Sequence, residues 1–94
     1  MKEGLVRRHI WVQGRVQGVG FRAFAQFTAT NLDVTGWVRN VGIDKVEIVA
    51  EAAPGVMELF LSQMAKGPSF GRVNAMNAAE ETATGEFDMF DIRG

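Results

Sequence analysis

The 94-residue chain contains no cysteine and a single histidine, His9. Without thiols there is no disulfide framework, no thiolate nucleophile and no thiolate metal site. One imidazole excludes a multi-histidine metal centre and leaves His9 as the sole candidate for histidine catalysis. A small domain without crosslinks fits the cytoplasm, which is the compartment expected. No apolar run approaches the roughly 20 residues of a membrane span, and the opening segment Met1–Arg8 lacks the apolar core of a signal peptide, so no membrane association is expected. Charge of either sign is scarce in excess: ten Lys and Arg stand against eleven Asp and Glu, a net charge of −1. That balance supplies no bulk attraction to nucleic acid or to anionic lipid. Anion binding must therefore come from local geometry. The chain has room for one domain, residues 1–94, with one modest core.

Hydrophobic periodicity supplies the element order. Residues 6–13 alternate, with Ile10 and Val12 on one side and His9, Trp11 and Gln13 on the other. From Phe21 the period becomes helical through Phe24, Ala25, Thr28 and Leu32, ending at Asn31-Leu32-Asp33. Residues 34–40 form a second predicted strand. The short turn Val41-Gly42-Ile43-Asp44 joins it to a third, in which Val46, Ile48 and Ala50 alternate with Glu47, Val49 and Glu51. Such a close connection implies an antiparallel hairpin. Pro54 opens a second helix with an apolar stripe of Val56, Met57, Phe60, Leu61 and Met64, closed by Lys66-Gly67-Pro68. Residues 70–79 predict a strand without a clear face, Glu80–Gly85 a polar loop, and Phe87–Ile92 a last strand.

The order β-α-β-β-α-β, with a short extra C-terminal strand, defines an α+β class: a ferredoxin-like (split βαβ) sandwich with an antiparallel sheet and both helices on one face. The opposite face would carry Trp11, Trp37, Arg39 and Glu47, with Trp11 and Trp37 available to pair across strands. Glu80, Glu81, Asp88 and Asp91 read as a solvated acidic surface. If the last strand runs beside the first, Arg93 and the C-terminal carboxylate of Gly94 approach the glycine-rich segment between the first strand and first helix.

That segment, Gly14-Arg15-Val16-Gln17-Gly18-Val19-Gly20-Phe21-Arg22, is the most informative stretch of the chain. Glycine lets a backbone curl so that several N–H groups face one point, and a curl running into a helix start is an anion site. Arg22 falls at that helix start, where its guanidinium fork can clamp a phosphate. The plain alternatives are a tight strand–helix connection and a solvated arginine. The segment is not a nucleotide P-loop, since no Lys-Ser/Thr pair follows Gly20, and its glycine spacing does not match a dinucleotide fingerprint. Asn40, in Gly36-Trp37-Val38-Arg39-Asn40, is either a turn residue or a neutral carboxamide that holds a water near a dianion, where a carboxylate would be repelled.

These two motifs, at this interval, resemble the acylphosphatase family, and the likeness spans nearly the whole chain. The resemblance implies hydrolysis of the carboxyl–phosphate bond of acyl phosphates by water, giving a carboxylate and inorganic phosphate. It implies catalytic roles for Arg22 as phosphate clamp and Asn40 as water holder. The phosphate-binding loop it implies is Gln17, Gly18, Val19, Gly20, Phe21 and Arg22. No metal and no cofactor are expected, and the partner is a small-molecule acyl phosphate met by a monomer. The chain departs from the family pattern at Asp44 and Ala52, where glycine is usual or frequent. The chemistry agrees on independent grounds. The leaving carboxylate has a pKa of about 4 and needs little help from a general acid, and phosphoryl transfer relies mainly on positioning and on stabilising equatorial oxygens.

Two other readings are compatible with the fold. One is a binding module that keeps the phosphate loop without useful catalysis. The other is an RNA-binding sheet of the same topology, which would carry its aromatics on the open face; Phe21 and Phe24 instead fall on a helix, and the net charge is negative.

Overall fold

The computed structural model describes residues 4–94; the first three, part of the segment read for a signal core, lie outside the described residues. The elements are β1 (Val6–Arg15), α1 (Phe21–Asn31), β2 (Thr35–Val41), β3 (Lys45–Ala52), α2 (Pro54–Lys66), β4 (Arg72–Glu81) and β5 (Phe90–Arg93). They form one five-stranded sheet in the order β4-β1-β3-β2-β5. This is the ferredoxin-like arrangement expected, with one amendment. The β1–β3, β1–β4 and β2–β3 pairs are antiparallel, whereas β5 runs parallel to β2, so the sheet is mixed. The last strand therefore lies beside the second strand and not the first. Glu80 and Glu81 also end β4 instead of belonging to the following loop.

The helices bury their stripes against one sheet face. Phe21, Ala25 and Ala29 of α1 and Met57, Phe60 and Met64 of α2 form one core with Ile10, Val12, Val38, Val46 and Ile48. Burying each large side chain of this set is worth about 1.5–3 kcal/mol. The weak pattern of β4 has a simple cause. The register slips between Gln13 and Gly14, whose partners are Ala75 and Val73, so Asn74 is an extra residue on β4. A bulge reverses strand parity, and Val73 therefore shares the core-facing side with Met76 and Ala78.

β3 is central and buried on both faces. Its two acidic residues, Glu47 and Glu51, are only 5% and 1% exposed. Glu51 accepts hydrogen bonds from the N–H groups of Thr84 and Gly85 at 2.8 and 2.9 Å and pairs with Arg7 Nε at 3.1 Å. It thereby fastens the chain that crosses from β4 to β5. Trp11 and Trp37 do not pair, because β3 stands between their strands. Trp11 stacks on the His9 ring at 5.4 Å, and Trp37 lies beneath the guanidinium groups of Arg39 and Arg93, at 5.6 and 4.7 Å. Glu80, Glu81, Asp88 and Asp91 are all exposed, as expected; Glu80 also lies 3.5 Å from Arg8, and Glu81 bonds His9.

His9 bridges two carboxylates, with Nε2 2.6 Å from Glu47 and Nδ1 3.0 Å from Glu81, while Arg39 Nε donates to the other Glu47 oxygen at 2.6 Å. Both ring nitrogens must carry protons to serve both acceptors. Burial alone would lower the His9 pKa, but the hydrogen bonds and charges of Glu47 and Glu81 outweigh it and raise the pKa above 6.5. For Glu47, burial pushes upward, and the hydrogen bonds and charges of His9 and Arg39 prevail to hold it below 4.5. A raised histidine pKa gives stability that is complete below about pH 6.5 and lost as pH rises through the folded-state value. The lowered Glu47 gives stability that is complete above about pH 4.5 and lost as pH falls through its folded-state value. The urea midpoint is therefore expected to fall between pH 6 and pH 9. His9→Gln should flatten that decline, and an equally steep decline in the variant would contradict the assignment.

Candidate active site

Gly20 stands at the N-cap of α1 in the left-handed conformation, with φ 79° and ψ 22°, and Gly18 has φ 73°. A built Cβ would meet nothing within 4 Å at either position, so both positions need glycine for backbone conformation and not for space. The helix that follows has no side-chain cap and no acidic residue in its first turn. Phe24 N–H is the one that closes the first turn, donating to Gly20 O at 2.9 Å. The N–H groups ahead of it are the unpaired donors that give a helix N-terminus its affinity for anions.

A cavity of about 220 Å³ opens at this point, lined by Val16, Gly18, Gly20, Phe21, Arg22, Ala23, Asn40 and Ile92. Arg22 is the one charged residue in that lining, and among the described residues no carboxylate lies within ion-pair distance of it. A cation at a helix start opposes the macrodipole, an arrangement that an anion between the two relieves. The Asn40 Oδ1 atom is buried without a protein hydrogen-bond partner. An unsatisfied buried acceptor costs about 1–3 kcal/mol, so this oxygen lacks the donor its chemistry calls for.

The structure thus brings together Gly18, Gly20, Phe21 and Arg22 with Asn40, which lies about twenty residues on at the end of β2. Gln17 and Val19 are not in the lining. Val19 packs against the core, and the Gln17 carboxamide turns toward the β2–β3 connection. Ile92 enters from β5, which no local pattern foretold, because it depends on β5 running parallel to β2 toward the cavity end of the sheet. Asp44, where the family commonly has glycine, keeps an ordinary backbone. The left-handed position in that turn belongs to Gly42, with φ 62°. Ala52 is buried in the core opposite Val6.

An α+β sandwich with an uncapped, glycine-wound helix start facing a lone arginine and a neutral amide defines a small anion-handling domain. Comparison with known proteins narrows the class. The acylphosphatase family model matches residues 8–92. An acylphosphatase of Syntrophotalea carbinolica is 42% identical over 88 residues, covering 94% of this chain and 96% of its own. One from Methylococcus capsulatus is 42% identical over 86 residues, covering 92% of this chain and 94% of its own. The crystal structure of acylphosphatase from Bacillus subtilis superposes with a TM-score of 0.90 at 34% identity, covering 95% of this chain and 99% of that one. The chain belongs to the acylphosphatase family, an enzyme family, and hydrolysis of acyl phosphates fits that membership. Among the described residues no helix is long and apolar enough to cross a membrane.

Proposed function

We propose that this protein hydrolyses small acyl phosphates with Arg22 and Asn40 as its catalytic residues. The observation that carries the reading is one cavity whose lining joins an uncapped helix start, a guanidinium unpaired among the described residues, and Asn40, whose carboxamide oxygen is buried without a protein partner. Main-chain N–H groups of the 17–22 loop and the Arg22 fork hold the phosphoryl oxygens and stabilise the charge they carry in the transition state. The Asn40 oxygen accepts a hydrogen bond from a water and aims it at phosphorus. As the water oxygen bonds to phosphorus, the bond to the carboxyl oxygen breaks and its electron pair leaves as carboxylate. The water's proton passes to a phosphoryl oxygen, so the products are a carboxylate and inorganic phosphate. No side-chain base is needed, and His9 lies outside the cavity lining, in the Glu47–Glu81 bridge.

The reaction needs no metal in this reading. Among the described residues no cluster of three or more His, Cys, Asp or Glu is placed to hold one. The enzyme acts as a cytoplasmic monomer on a small-molecule substrate, without a cofactor and without nucleic acid. The test is turnover of an aromatic acyl phosphate with and without EDTA. We expect hydrolysis at equal rates in both; metal-dependent turnover would overturn the mechanism. A binding module that retains only the phosphate loop would instead show thermal protection by inorganic phosphate with no turnover. The 42% identity to acylphosphatases over nearly the whole chain disfavours it.

A further inference from the structure

The geometry points to Gln17 as a positioning residue for Asn40, an inference that rests on the hydrolytic reading above. Its side-chain Nε2 lies 3.2 Å from Val41 O, 3.0 Å from Gly42 O and 2.9 Å from Lys45 O. A carboxamide NH₂ has two hydrogens, so three carbonyls share them and one bond is three-centred. These carbonyls bracket the turn after β2. Val41 directly follows Asn40, and Lys45 directly precedes Val46, the residue opposite Asn40 in the β2–β3 ladder. Gln17 itself begins the glycine-wound loop. One side chain therefore ties the phosphate-binding segment to both strands of the hairpin, directly after Asn40 on β2 and directly before its ladder partner on β3.

Two further bonds fasten the same turn to β1. Gly14 N–H donates to Asp44 O at 3.0 Å, and Gln13 Nε2 donates to Asp44 Oδ2 at 3.1 Å. The turn is thus held from β1 through Asp44 and from the loop through Gln17. The first attachment fixes the hairpin to the sheet. Only the second spans from the anion-holding segment to the Asn40 end of β2. The distance between a held phosphorus and a held water must be right to a fraction of an ångström for attack, and this link is what sets it.

The test is a thermodynamic cycle on purified, folded protein. Gln17→Met keeps the length and removes the donors, and Gln17→Glu puts an oxygen where the NH₂ faced three carbonyls. For Gln17→Met we expect kcat to fall about tenfold, with KM and inhibition by inorganic phosphate within about twofold, since Arg22 and the loop amides are untouched. Gln17→Glu should fall further. In an Asn40→Ala background the Gln17→Met change should lower kcat no more, because a residue acting through Asn40 has nothing left to act on. Full additivity in that background, or a loss confined to KM and phosphate affinity, would overturn the assignment. If Gln17→Met fails to fold, the cycle is run with Gln17→Asn, which keeps the NH₂ but shortens its reach. An unsubstituted chain without turnover would remove the hydrolytic reading itself and this inference with it.

Discussion

Arg22→Ala is expected to lower kcat/KM for a small acyl phosphate by about 10³–10⁵-fold, the range over which a single well-placed arginine accelerates phosphoryl transfer. Arg22 is the one charged residue lining the cavity, and among the described residues no carboxylate competes for it. Its loss leaves the loop amides as the only donors to the phosphoryl oxygens. Ground-state binding and transition-state stabilisation should both suffer, so KM rises while kcat falls. Inhibition by inorganic phosphate should weaken in the same variant, which a phosphate titration followed by thermal shift measures. Arg22→Lys should recover little, because an ammonium cannot offer two parallel N–H bonds to one phosphoryl group. Fold stability is not expected to drop, since no described ion pair is broken. A variant that retains turnover within tenfold would remove Arg22 from the mechanism.

Asn40→Ala is expected to act differently, lowering kcat by about 10²–10³-fold with KM within about twofold. The carboxamide does not carry the charge that binds phosphate. In the proposed mechanism its contribution is to a water that matters most when the oxygen–phosphorus bond forms, and an interaction made only then lowers kcat rather than affinity. The same substitution removes a buried oxygen without a protein partner, so the variant should be no less stable than the parent. Measuring kcat, KM and the melting temperature together gives a pattern that a structural role cannot mimic. A rise in KM at unchanged kcat would exclude the water-holding role.

Much of this was legible in the residue order, for identifiable reasons. The glycines at 18 and 20 signal a curled backbone ahead of a helical period, which the structure realises with positive φ at both, and Arg22 and Asn40 fall at the ends of clearly patterned elements. All five strands and both helices follow from apolar patterning and helical spacing. What escaped was non-local. The face of β4 was hidden by the extra Asn74, which shifts alternation by one residue. The partner and direction of β5 depend on how residues 82–89 cross the sheet, and that path is held by the buried Glu51, a residue whose charge suggested exposure. Glu47 lies on the sheet face expected of it, but its burial there comes from centrality in the sheet, which no window of sequence contains. Gln17 sits within the correct loop, but the direction of its side chain depends on the turn that folds up against it.

The strand order has a consequence for how the molecule is assembled. β1 lies between β3 and β4, and its pairings join Val6 to Ala52 and Arg7 to Glu81. A sheet of this kind cannot be zipped up from neighbouring hairpins alone. The β2–β3 hairpin can form early, but β1 must wait for distant segments to arrive, and the entropy of closing those loops is spent before any contact compensates. Refolding should be slower than that of a helical bundle of equal length. The glycine-wound loop, which hangs between β1 and α1, should take its final shape only after the hairpin bearing Asn40 has docked.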